Sequence, residues 1–240
     1  GREIAGATAE AAGYTELGRG ILSEVADQHQ IAETRLVKAL DDAPSFLGMS
    51  AKQRALCLVY IQEAVLSRLL EDNVVCHGLA AHLYVRGVSH VLRVRVLSDP
   101  EVSVKRVIDQ EGKPPDKAKR RVRRARKLRS RWSMAAFGLD ETDPALFDLV
   151  ISLSQIDQEE AVKIITSTVG YRRFSPMTYS VHCLQDLELS ARVRAAMLKQ
   201  FPDVRVRARS GTLVVETAAL KRERRKRMKA IREIAGAIPG

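Results

Sequence analysis

Cysteine is scarce in this 240-residue chain. Cys57, Cys76 and Cys183 are an odd, widely spaced set, which excludes a disulfide framework and lacks zinc-ligand spacing. Their expected role is that of small buried hydrophobes. A reducing compartment suits them, so the expected location is cytoplasmic. Aromatic residues make up only 5%, leaving few rings for stacking on bases. No apolar run approaches the roughly 20 residues of a bilayer span. The opening, Gly1-Arg2-Glu3-Ile4-Ala5, lacks the charged-then-apolar pattern of a signal peptide. It also lacks Met and starts inside an expected helix. With the turn-like end Ile238-Pro239-Gly240, this leads us to expect a piece of a longer polypeptide.

Positive charge is present in excess, and it is concentrated. The net charge is +11. Residues 113–131 hold eleven Lys/Arg and one acid, and residues 221–232 hold eight and one. The rest of the chain is net negative, which excludes a uniformly polycationic protein. Hydrophobic content of 45% and charged content of 29% are ordinary for a globular protein.

Periodicity divides the chain. Helices are expected over 3–13, 19–29, 31–41 and 50–71, the last capped by Ser50; Asp42 to Gly48 is an expected loop. Short apolar runs at 73–78, 91–97 and 147–153 read as strands, with helices near 100–111, 116–136 and 157–169 between them. Strands alternating with helices predict α/β architecture with a parallel sheet. Residues 171–176 read as a linker, and a boundary is expected near 172–178. Beyond it come a helix at 184–200, two β-like runs joined by Ser210-Gly211, and a basic helix near 219–236.

The helix at 113–131 is expected to start after Pro114-Pro115, with Asp116 as its N-cap. Ala118, Val122, Ala125, Leu128 and Trp132 form one narrow apolar stripe. Nearly everything else is Lys or Arg, and like charges three and four residues apart repel. Such a helix calls for an anion, either a nucleic-acid backbone or the polyphosphate of a nucleotide; a solvated surface helix is the plain alternative. At the other end, Gly1 and Arg2 open a helix, where free N–H groups favour phosphate.

These stretches, taken in order, resemble the cytidylate kinase-like family of P-loop nucleoside-monophosphate kinases over about residues 1–170. Gly1-Arg2-Glu3-Ile4-Ala5 resembles the end of a phosphate loop. Asn73-Val74-Val75-Cys76-His77-Gly78-Leu79-Ala80-Ala81-His82 and Ser89-His90-Val91-Leu92-Arg93-Val94-Arg95-Val96 resemble core strands. Arg129, Arg131-Trp132-Ser133, Phe137-Gly138-Leu139-Asp140 and Asp143 to Ile151 resemble the segment from lid to strand. The resemblance implies a P-loop kinase-like parallel sheet with flanking helices, its first strand missing, as a domain spanning 1–172. It implies phosphoryl transfer from ATP, with Mg2+, to a nucleoside monophosphate such as CMP. Arg129, with Arg126 and Arg131, would act as catalytic lid cations. Gly1 and Arg2 would bind phosphate, and His77, Gly78 and His82 would line a nucleotide pocket. A structural role for the histidines stays open. Asp99 is a candidate for holding the metal.

The chain departs from the family pattern at four places, one of them Arg126, which stands where relatives tend to have an acid. Arg2 stands where such a loop has Lys, Glu3 where it has Ser or Thr, and Gly18 where many relatives have Asp. These departures keep a second reading open: a non-catalytic nucleotide- or nucleic-acid-binding regulator on a kinase scaffold. Residues 178–240 resemble a BON-type α-β-β-α domain, a small α+β unit, through Ala191 to Leu198, Val204-Arg205-Val206 and Ser210 to Val215. Phospholipid headgroups or nucleic acid would suit its basic helix at 221–232.

Overall fold

The computed structural model describes residues 1–45 and 48–239. Phe46 and Leu47 of the expected 42–48 loop, and Gly240 of the expected terminal turn, lie outside the described residues.

Helix α1 (Arg2–Ala12) is Ala/Glu-rich and stops at Gly13, whose φ of 68° closes the helix with a left-handed cap. Strand β1 (Thr15–Leu17) follows, then α2 (Ile21–His29) and α3 (Glu33–Asp41). Helix α4 (Ala51–Leu69) starts at Ser50, as expected; Ser50 and Gln53 form a reciprocal capping box. Next come β2 (Val74–Cys76), the short α5 (Ala81–Tyr84) and β3 (Val94–Leu97). Helices α6 (Pro100–Glu111) and α7 (Pro115–Phe137) form a helical hairpin turned at Gly112, φ 62°. Strand β4 (Leu149–Ser152) and α8 (Gln158–Val169) complete the alternating part.

The expected single sheet is not what forms. The strands make two separate parallel pairs, β1 with β2 and β3 with β4. Strand β1 gave no signal in sequence, because its three residues include two exposed ones and show no apolar run. Helix α1 packs on β1, β2 and α8, so it spans both pairs. A small core of Ile4, Ile151, Ala161 and Ile165 joins α1 and α8 over β3–β4. The larger core centres on α4, whose Tyr60, Ile61, Val65 and Leu66 are all at most 1% exposed.

The rest of the chain is α9 (Thr178–Leu198), the hairpin β5 (Arg205–Arg209) and β6 (Thr212–Glu216), and α10 (Arg224–Gly236). Helix α9 starts six residues before the expected 184, and α10 five after the expected 219. The 171–176 stretch holds a 3-10 turn, Arg172–Phe174, rather than open linker. Helix α9 lies along α4, and Val193 and Met197 join the same apolar cluster as the α4 residues. Asp186 of α9 accepts the backbone N–H groups of Ser210 and Gly211, which fixes the hairpin turn.

Helix α7 corrects one detail. Its cap is Pro114, with Pro115 at the first turn, and Asp116 lies inside the helix. Proline suits that place because its missing N–H would have no partner there. Asp116 still faces the positive end of the helix dipole. At the other end Trp132 is fully buried and its Nε1 donates to the Ala39 carbonyl at 2.7 Å. The helix is thereby rooted on the C-terminus of α3.

Candidate active-site cleft

A cleft of about 890 Å³ lies between the two parallel pairs. Three consecutive residues of β2, Val74 to Cys76, line it, and so do Leu92, Arg93 and Val94 at the start of β3. Successive side chains of a strand point to opposite faces. A run of consecutive lining residues therefore means that strand edges, not sheet faces, border the cleft.

Gly1 and Arg2 stand at one end of it. Among the described residues no side chain caps α1, and the N-terminal end of a helix dipole favours an anion. His77, Gly78 and His82 also line the cleft. The structure thus brings together five sequence-predicted residues from two distant segments.

The β1 and β2 ends of the cleft are tied by side chains. His77 Nε2 lies 2.7 Å from Glu16 Oε1. A Cβ on Gly18 would fall 2.9 Å from the same His77 nitrogen. Glycine at 18 is thus what lets this imidazole lie against the β1 turn. Arg19 makes a two-pronged pair with Asp41, at 2.7 and 2.5 Å, and its Nε donates to the Gly78 carbonyl at 3.2 Å. Asp41 and the hydrogen bond to it raise the Arg19 pKa, so the guanidinium is a fixed cation at the cleft wall.

His82 sits on α5 and stacks on Phe147 with ring centroids 5.0 Å apart. Burial lowers its pKa to about 4, and the nearby Arg129, Arg95 and Arg93 add to the effect. It is therefore neutral at pH 7. Its Nε2 is buried without a partner, as is His90 Nδ1 on the same cleft. A neutral imidazole suits a hydroxyl or a base edge better than a phosphate. Arg93 and Asp148 pair through both oxygens, at 2.9 and 3.0 Å, and hold the strand end rigid.

The three predicted lid arginines lie elsewhere. Arg129 is engaged at the root of α7: Nε meets Glu141 Oε1 at 2.5 Å, Nη1 donates to the Leu40 carbonyl at 2.7 Å, and the group lies 3.8 Å over the Trp132 ring. Arg126 lines a separate groove between α6 and α7, and Arg131 is exposed. Asp99 caps α6, accepting the Glu101 N–H at 2.6 Å. Sequence reasoning missed Glu16, Arg19 and His90. The only signal for the first two was the Glu-Leu-Gly-Arg-Gly run itself, since their partners are remote in sequence.

The family model for the cytidylate kinase-like family matches residues 1–155. A protein named cytidylate kinase from Pyrobaculum arsenaticum is 32% identical over 104 residues, covering 43% of this chain and 56% of the relative. One of the same name from Methanopyrus kandleri is 28% identical over 107 residues, covering 41% and 55%. The chain thus spans about half the length of the curated relatives it matches. A solved structure of an uncharacterized protein from Eubacterium ventriosum aligns with a TM-score of 0.49 at 18% identity, over 70% of this chain and 90% of that one.

Proposed function

Because the chain belongs to the cytidylate kinase-like family, we propose that the cleft between its two parallel strand pairs is a nucleotide site, serving ATP-dependent phosphoryl transfer to a nucleoside monophosphate such as CMP. The observation that carries this reading is the cleft's lining. The N-terminal end of α1, Arg2 and the fixed Arg19 offer sites for anions, while neutral His82 offers an unpaired Nε2 and His90 an unpaired Nδ1. Phosphoryl transfer depends mainly on positioning and charge neutralisation, which suits such a set.

In this reading the amides of α1 and Arg2 bind nucleotide phosphates. Arg19 is held in place by Asp41 and the Gly78 carbonyl, and so presents a cation whose position is set before binding. His82, with its Nε2 free, receives the acceptor's base or sugar hydroxyl. Arg126 and Arg131 do not line this cleft, and Arg129 positions α7 from its root. Phosphates fit the cleft; a protein-held Mg2+ does not. Among the described residues no three His, Cys, Asp or Glu side chains form a metal-binding group. Glu16 is paired with His77, and Asp99 is used as a cap. The oxygen ligands of such an ion would come from the bound nucleotide.

The test is ATP-dependent turnover of CMP, read as ADP release, with Arg2→Ala and His82→Phe variants. Arg2→Ala is expected to lower kcat/KM by about tenfold or more, the loss of one charge-assisted bond. His82→Phe is expected to raise KM for the monophosphate and leave KM for ATP near its original value. If the protein turns over no monophosphate and binds neither nucleotide, the reading is wrong.

A further inference from the structure

The nucleotide site leaves much of the charge on α7 unexplained. Lys119, Arg123 and Arg126 turn towards α6 and line the groove between the two helices. Lys117, Arg120, Arg124, Lys127 and Arg131 recur at intervals of three and four, so they share a second face. All five are exposed. Among the described residues none of the five has a carboxylate within ion-pair distance, whereas Arg121 beside them reaches Glu111 at 3.8 Å. The stripe runs over about 21 Å at 1.5 Å per residue. The compact polyphosphate of one nucleotide meets only a turn or two of such a helix.

We propose that this outer stripe of α7 docks on double-stranded DNA, holding the phosphate backbone without reading bases. Three observations select this partner. Residues 113–131 contain no exposed large hydrophobic side chain, and binding in a bilayer interface needs buried apolar area. The aromatics of α7 are Trp132, fully buried, and Phe137, packed against the core; neither offers a stacking platform for single strands. The hairpin projects from the body, α6 having no buried residue, so the stripe is accessible along its length. Duplex DNA presents a charge every 1.7 Å or so along its axis, enough for every cation of the stripe. An α-helix fits its major groove, while that of A-form RNA is deep and narrow. No Asn or Gln occurs between 113 and 131, so the stripe has no amide to read adenine edges; most protein–DNA hydrogen bonds from Lys and Arg go to the backbone.

The test is fluorescence anisotropy of a labelled mixed-sequence DNA duplex with the full chain, in the absence of nucleotide. A plot of log K against log salt is expected to have a slope of about −4 to −5. The variant Arg120→Gln/Arg124→Gln/Lys127→Gln keeps helix propensity and is checked by circular dichroism. It is expected to lower affinity by about tenfold or more and to reduce the slope by about 3. The matched variant Arg224→Gln/Arg225→Gln/Lys229→Gln on α10 is expected to change affinity much less. The proposal is overturned by any of four results: no duplex binding at low salt, equal loss from the α10 variant, equal or tighter binding of duplex RNA, or anionic vesicles bound in preference to DNA. The readout uses no nucleotide, so its outcome is independent of the kinase reading.

Discussion

Helices α7 and α10 look alike in sequence, each a dense run of Lys and Arg, but they sit in the molecule differently. Helix α10 lies against α9 through Ile231, with Arg227 paired to Asp203 and placed 4.9 Å over the Phe201 ring. Its charge is thus partly answered along its length, and Lys229 adds a pair with Glu233 at 3.8 Å. Helix α7 is held at its root by Trp132 and Arg129, and beyond that it touches mainly α6. Charge counted along a sequence therefore does not say which cations are available. Availability depends on which face packs, and only folding decides that.

The sharpest way to break the comparison is at the α7 root. Trp132→Ala removes a fully buried ring, its bond to Ala39 and the surface under Arg129. The expected cost is about 3–5 kcal/mol in urea unfolding, well above the near-zero change expected for an exposed shaft residue such as Arg124→Gln. Equal effects would mean that α7 is not anchored where the structure has it.

A smaller effect is expected on the α10 side. The backbone N–H of Ala218, with Thr217 and Arg227, lowers the Asp203 pKa from 3.8 to about 2. A depressed carboxylate stabilises the fold above its unfolded pKa and loses that contribution as pH falls through the folded value. Asp203→Asn is therefore expected to lower the melting temperature at pH 7, with the gap to the parent closing between about pH 4 and pH 2. The carboxylate is 41% exposed, so solvent screening keeps the effect modest. A gap that stays constant down to pH 2 would remove Asp203 as the charge that answers α10.

Much of the fold was legible in sequence. The helices α1 to α4 and α6 to α8 follow from apolar spacing and start signals such as Ser50 and the Pro114-Pro115 pair. Strand β1 did not, since Thr15-Glu16-Leu17 is short and exposed. Nor did the division into two strand pairs, because pairing partners such as Leu17 and Cys76 are set by three-dimensional packing. In the cleft, Gly1, Arg2, His77, Gly78 and His82 were named in advance through the family resemblance, the first two at a helix start and the others after a short apolar run. Arg19 was not, since what fixes it, Asp41 and the Gly78 carbonyl, lies 22 and 59 residues away. The state of His82 was hidden too, because its neutrality comes from burial beside arginines of other elements.

The central claim is that nucleotide binds between the two strand pairs, and backbone amide shifts on titration with CMP test it most directly. The account predicts the largest shifts at Arg19, at His77 to His82 and at Arg93, with α10 unmoved. Shifts confined to α10, or none at saturating CMP, would contradict it.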